Sequence, residues 1–272
     1  MAEEKIKPEE KEKKDPEKKE EVEKTNEKTE EKKGNSIKDA RNNKHRRPPR
    51  KTEEEITQGV LEAWDPKTKL GHEVKTEKIK NIDEILDGNR KILELEIVDS
   101  LLKLKSDLIL IGQAKGKFGG GKRRAWRQTQ RKTKEGNVPT FSTMAVVGDE
   151  NGHVGVGTGK SKETLPARDK AKRKAKLNII KVTKGDGSFD SIGGGYTSIP
   201  FKVEGKSGSV KIVLMPAPPG TGLVIADQLK KVLKLAGIKD VYSKTFGKKR
   251  TTFNLVKACI KALEKTNREI AK

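Results

Sequence analysis

Residues 141–182 constrain the fold more than any other part of the chain. They read as two short strands, a tight turn, and a helix crowded with cations. Thr143, Ala145 and Val147 share one face of the first strand, and Val154, Val156 and Thr158 share one face of the second. The intervening GDENG carries Asn151-Gly152, residues that tolerate the positive φ of a hairpin turn. In the helix that follows, Ala167, Ala171, Ala175 and Ile179 recur at four-residue steps, a narrow apolar seam for docking on the sheet. Gly155 and Gly157 leave bare backbone on one strand face, so that the helix or a ligand can approach closely. Around the seam stand Arg168, Lys170, Lys172, Arg173, Lys174 and Lys176. A hairpin backed by such a helix is a rigid cationic surface suited to a phosphate backbone.

Charge is segregated along the 272 residues. The chain carries +22 overall, yet residues 1–112 sum to −1 and residues 113–272 hold +23. A folded half so positive repels itself until a polyanion neutralises it, which makes nucleic acid the expected partner. With 38% of residues charged and 31% hydrophobic, part of the chain cannot be packed. That part is residues 1–55. Its first 33 residues are almost entirely Lys and Glu, and RNNKHRRPPRK at 41–51 is a Pro-broken basic arm, either extended along phosphates or a solvated linker. The single Cys259 excludes an intrachain disulfide. The N-terminus has no apolar signal region, and no apolar run nears the roughly 20 residues of a membrane span. A cytosolic setting is expected.

Further organisation follows from pattern. Residues 56–107 predict short helices around Ile79, Ile82, Ile85 and Leu86, ending at Gly88, and around Leu95, Val98, Leu101 and Leu102. They are too short for a separate core and need a neighbour. Residues 113–140 predict an elongated basic loop, with nine Lys and Arg against one acid between Gln113 and Glu135. Its Gly119-Gly120-Gly121 is pliant. Trp126 sits among Arg123, Arg124, Arg127 and Arg131, an interleaving that suits stacking on unpaired bases; the alternative is a ring folded back on the protein. Residues 183–198 predict a Gly-rich linker. From Ile199 a β-β-α-β-α order predicts a two-layer α/β domain, with strands at 199–204 and 210–214, helices at 225–236 and 253–263, and a short strand near Val241-Tyr242.

Catalytic readings fail on spacing. GTGKS at 157–161 lacks the Gly a phosphate loop needs at Val154, and neither Gly155-x-Gly157 nor Gly220-x-Gly222 completes a dinucleotide fingerprint. His45, His72 and His153 show no metal-ligand spacing to Cys or carboxylate. Cys259 beside Ile260 reads as a small core residue. No cofactor, metal or enzyme activity is expected.

AVVGDENGHVGVGTGKSKE with ARDKAKRKAKLNIIKV, then IPFKVEGKSGSVKIVLMPAPPGTGL, LKLAGIKDVYSKTFG and TTFNLVKACIKALEKTN, resemble the ribosomal protein five family of the small subunit. The likeness runs collinearly over residues 108–267. WDPKTKLGHEVKTEKIKNIDEIL resembles the archaeal and eukaryotic branch. The resemblance implies an α+β fold: a double-stranded-RNA-binding-like domain at 108–182, then a two-layer α/β domain at 199–268 with a left-handed crossover. It implies a structural, cytoplasmic component of the small ribosomal subunit near the channel through which messenger RNA enters, beside ribosomal proteins three and four, supporting decoding accuracy. A free double-stranded-RNA-binding regulator or RNA chaperone is the rival reading. Expected contacts to ribosomal RNA come from Lys115, Lys117, Lys122, Arg123, Arg124, Trp126, Arg127, Arg131 and Lys132 in the loop. Further contacts come from Lys160, Lys162, Arg168, Lys172, Arg173 and Lys176, and from Lys244, Lys248, Lys249 and Arg250. By resemblance, the turn Gly205-Lys206-Ser207-Gly208 lies near protein four.

Overall fold

The computed structural model describes residues 59, 61–88, 90–113, 123–186 and 195–270. The extension at 1–55, its expected disorder, half of the Gly-rich linker (187–194), and Lys115, Lys117 and Lys122 lie outside them.

Among the elements that lie wholly within the described residues, three short helices come first: α1 (Lys69–Lys75), α2 (Ile82–Asp87) and α3 (Leu95–Leu101). The last two stand where the periodicity puts them, with Gly88 as the C-cap of α2. α1 is additional; its KLGHEVK has only Val74 and Gly71 buried, too few apolar positions to show a period. All three share a minor core of Val74, Ile82, Ile85, Ile92, Ile97 and Val98, completed by Ile179 from the next layer. The neighbour they require is the first sheet.

That sheet has five strands, β1 (Lys105–Leu108), β2 (Trp126–Thr133), β3 (Gly136–Gly148), β4 (His153–Ser161) and β5 (Ile179–Lys181). Their order is β1-β3-β4-β5, all antiparallel, with β2 pairing the first half of β3. Two expectations change here. Of the residues expected in the basic loop, those from Trp126 onward form a hairpin, turned at Lys134-Glu135 with Gly136 at φ +123°. Both faces of this hairpin are largely exposed and polar, so no alternation in the sequence announced it. In GDENG, the left-handed residues are Glu150 (φ +64°) and Gly152 (φ +123°), not Asn151. Asp149 fixes that turn by accepting from the amides of Asn151 (2.8 Å) and His153 (3.0 Å), an Asx arrangement.

The helix α4 (Thr164–Leu177) packs on one face of this sheet. Ala167, Ala171 and Ala175 are fully buried, as the seam predicts, but Ile179 has left the helix for β5. Its opposite number is a row of bare backbone: a methyl group on Gly155, Gly157 or Gly159 would lie 2.0–2.2 Å from backbone atoms of α4. The helix thus rests directly on the strand. Thr143 at the same level donates to the Ala167 carbonyl (2.7 Å).

The other sheet face carries Met144, Val146 and Val154 into the main core. That core is shared with a second sheet, β6 (Val203–Ser207), β7 (Val210–Pro216), β8 (Leu223–Val224) and β9 (Val241–Phe246), ordered β6-β7-β9-β8. The helices α5 (Asp227–Leu235) and α6 (Thr252–Ile270) supply Leu229, Val232, Leu233, Val256 and Leu263 to it. β8 was not foreseen; two residues carry no period. It pairs parallel with β9, and α5 makes the crossover between them. The layers run α4, first sheet, α5 with α6, second sheet.

Candidate nucleic-acid interface

The packing of α4 decides which of its cations face outward. With the alanine seam pressed on β4, Lys170, Arg173 and Lys174 are exposed, while Arg168, Lys172 and Lys176 are half-buried. Lys176 is committed internally: its ammonium lies 2.7 Å from Asp99 of α3, both side chains less than one-fifth exposed. This residue was expected on the RNA side, and its charge is instead spent holding the N-terminal helices to α4.

Arg168 serves the hairpin. Its guanidinium lies over the Trp126 ring at 5.6 Å, and Arg124 lies over the same ring at 5.4 Å. Trp126 pairs with Thr143 on the face that meets α4, so the ring is half-buried against the helix. Of the two alternatives for this aromatic, the structure places it folded back on the protein, gripped by two cations. The Nε of Arg168 has no hydrogen-bond partner among the described residues.

Side chains alternate along β2, so Arg127 and Arg131 project from the opposite face. There the register aligns Arg127 with Ser142 and Ser142 with Lys160. Two cations 33 positions apart thereby flank one serine across neighbouring strands. Arg123, Arg124, Arg131, Lys132 and Lys162 are exposed around them. The hairpin is a charged arm continuous with the cationic end of β4.

The remaining expected residues sit on the second sheet. Lys244 projects from β9, and Lys248, Lys249 and Arg250 occupy the exposed bend leading to α6. The predicted turn at Gly205 needs correction: Gly205 is inside β6 and buried under α6, where a methyl group would lie 2.0 Å from the Ala258 carbonyl. It cannot touch another protein. The chain turns at Gly208-Ser209, and Lys206 and Gly208 are exposed.

One cluster escaped the sequence reading. His153 does meet carboxylates, with Nδ1 2.7 Å from Asp149 and Nε2 3.0 Å from Asp83. Burial opposes a charge on this ring, but the hydrogen bonds to Asp149 and Asp83 outweigh it and raise its pKa. For Asp149, burial is likewise outweighed by bonds from His153 and the Asn151 amide, which hold the carboxyl down to about 2. Lys181 adds contacts to Asp87 (2.9 Å) and Asp83 (3.4 Å). The group clamps α2 to the first sheet. Asp149 stands only four residues before His153, a spacing that could have been noticed; Asp83 is seventy away. No metal-binding cluster occurs among the described residues, and burial pushes the Cys259 thiol up to about 12, far from nucleophilic use.

Among the described residues, exposed cations stand on closely packed elements, and the Cys259 thiol is buried. Comparison with known families places the chain more narrowly. The family model "Ribosomal protein S5, N-terminal domain" matches residues 125–183, and "Ribosomal protein S5, C-terminal domain" matches residues 205–271. Similar chains include the small ribosomal subunit protein uS5 of Nanoarchaeum equitans, 51% identical over 206 residues, which cover 75% of this chain and 88% of that one. The uS5 of Thermofilum pendens is 48% identical over 75% of this chain and 94% of its own. That of Methanocaldococcus jannaschii is 46% identical over 76% and 89%. The chain belongs to the ribosomal protein S5 family, whose members are structural rather than enzymatic proteins.

Proposed function

We propose that this protein is a structural constituent of the small ribosomal subunit in the cytoplasm, and that it binds ribosomal RNA by neutralising phosphate charge. The observation that carries this is the excess of cations in residues 113–272, +23 by sequence, with exposed ones on the β2–β3 arm, on α4 and on the bend after β9. Arg123, Arg127, Arg131, Lys132, Lys160, Lys162, Arg173, Lys248, Lys249 and Arg250 make the phosphate contacts. Arg124 and Arg168 position Trp126, and Lys172 supports the α4 face. Each contact releases condensed counterion, so affinity falls steeply with salt.

On the same reading, residues 108–182 form a double-stranded-RNA-binding-like domain and residues 199–268 a two-layer domain with a left-handed crossover. The protein lies near the channel through which messenger RNA enters and supports decoding accuracy. It stands beside ribosomal proteins three and four, protein four meeting the bend at Lys206, Ser207 and Gly208. The family membership and the exposed basic arm support this placement.

Sedimentation tests the proposal. The protein should travel with small subunits at moderate salt; persistence in light fractions would favour the free double-stranded-RNA-binding regulator instead. Replacing Arg123, Arg127 and Arg131 with Ala should weaken RNA binding and lower the salt slope by about 2–3, at about 0.7–0.9 per lost phosphate contact. An unchanged slope would remove the arm from the interface.

A further inference from the structure

The second sheet has two faces, and among the described residues α5 and α6 pack on one of them. Val203, Gly205, Val210, Ile212, Leu214 and Val241 point inward and are buried. Alternation therefore sends Tyr242, Lys244 and Phe246 of β9 to the outer face, where Tyr242 is 39% and Phe246 53% exposed. Pairing extends this row sideways. Phe246 is aligned with Lys211 and Lys211 with Lys206, while Tyr242 is aligned with Val224, itself 50% exposed. One acid shares the face, Glu204, and it is held at 2.7 Å by Lys211.

Exposed aromatic rings on a well-ordered strand are costly to keep in water, and this pair is separated by a cation on the same face. Tyr242 and Phe246 are four residues apart, about 13 Å along the strand, so they cannot stack on the same base. Lys244 lies between them on the same face, and Lys206 and Lys211 flank Phe246. A sheet face with aromatics and cations alternating in this way matches unpaired RNA: rings take base faces, and ammonium groups take the backbone. Duplex RNA, whose bases are already stacked, offers nothing to the rings.

We infer that the outer face of the second sheet is a second, distinct RNA site for a short single-stranded segment, with Tyr242 and Phe246 as base platforms and Lys244 as the phosphate contact between them. The inference rests on the RNA-binding reading above and assigns Lys244 to unpaired RNA.

Fluorescence anisotropy of the full chain tests it, with a labelled oligouridylate and a labelled RNA hairpin as separate probes. Tyr242→Ala and Phe246→Ala should each weaken oligouridylate binding at least fivefold, the equivalent of about 1 kcal/mol per stacked base. Hairpin affinity should stay within twofold, and Phe246→Trp should keep oligouridylate binding near wild type. Thermal melts of each variant establish that it is folded, and Phe246→Trp tests the ring even if an alanine variant is not. Equal loss on both probes, or no loss on oligouridylate, overturns the inference. So does concentration-dependent self-association of the wild type that Phe246→Ala abolishes while oligouridylate affinity is unchanged, because the face would then be a contact between copies. If the wild type binds neither probe, the broader RNA reading fails instead.

Discussion

Placing a single methyl group on Gly157 should cost this fold about as much as truncating a core side chain. In Gly157→Ala the new carbon would lie 2.2 Å from the Ala175 amide nitrogen and 2.3 Å from the Ala171 carbonyl oxygen. Both are helix backbone, so no side chain can swing aside. Relief requires α4 to lift by more than an ångström toward a normal contact of about 3.5 Å. A gap of even ~0.5–1 Å forfeits a quarter to a half of each dispersion contact along Ala167, Ala171 and Ala175. The 2.7 Å bond from Thr143 to the Ala167 carbonyl stretches as well, with a net loss of about 0.5–1.5 kcal/mol. The reduced freedom of the unfolded chain returns only about 0.4–1 kcal/mol. The sum is a destabilisation of about 3 kcal/mol, at the upper end of overpacking. Urea denaturation followed by circular dichroism measures it, with Gly195→Ala as the control, since nothing lies within 4 Å of a methyl group there. The control should stay within about 0.5 kcal/mol of wild type. A loss below about 1 kcal/mol for Gly157→Ala would refute direct seating of the helix on strand backbone.

Other outcomes follow from the ion pairs and rings. His153, whose pKa is raised in the fold by Asp149 and Asp83 despite burial, contributes stability that is fully present below its unfolded pKa of about 6.5. That contribution fades as pH rises through the folded value. The melting-temperature difference between wild type and His153→Ala should therefore be larger at pH 5.5 than at pH 9; the reverse order would exclude a charged ring. Asp149 acts at the other end, with stability present above its usual value near 3.8 and lost as pH falls toward about 2, measurable as an acid transition shifted in Asp149→Asn. Lys176→Met should destabilise by about 1–3 kcal/mol in urea, because Asp99 loses a charge-assisted partner, while the salt slope of RNA binding stays unchanged; Arg173→Ala should do the opposite. Trp126→Ala should release Arg124 and Arg168 and weaken RNA binding with little change in urea midpoint, which paired titrations and melts would check.

Much of the architecture was legible because it rests on periodic apolar burial. The alanine seam of α4, the strands β7 and β9, α5 and α6 were visible, since each buries one face and leaves a period of four or two, whereas the strand expected at 199–204 proved to be β6 at Val203–Ser207, with 199–202 outside it. The β2–β3 arm was not, because it buries neither face and so carries no pattern, and β8 was too short to carry one. The interface was legible as a composition and hidden as a geometry. Lys176 looks like any other cation of its helix until Asp99, 77 residues away, is seen beside it. Trp126 looks like a free stacking ring until Arg168 closes over it. Gly205 looks like a turn residue until α6 is laid on it.

Local order therefore settled the charge segregation, the failure of the nucleotide and metal motifs, the helix that must dock through alanine, and the family. Those properties depend on residue types and on neighbours within a turn or two. Only the tertiary structure decided which cations remain available to a polyanion, that His153 is clamped between carboxylates, and that one sheet face stays open with two aromatic rings on it. Coulombic and packing energies fall off over a few ångströms. They are set by which distant segments the two sheets bring together, and chain order does not encode those distances locally.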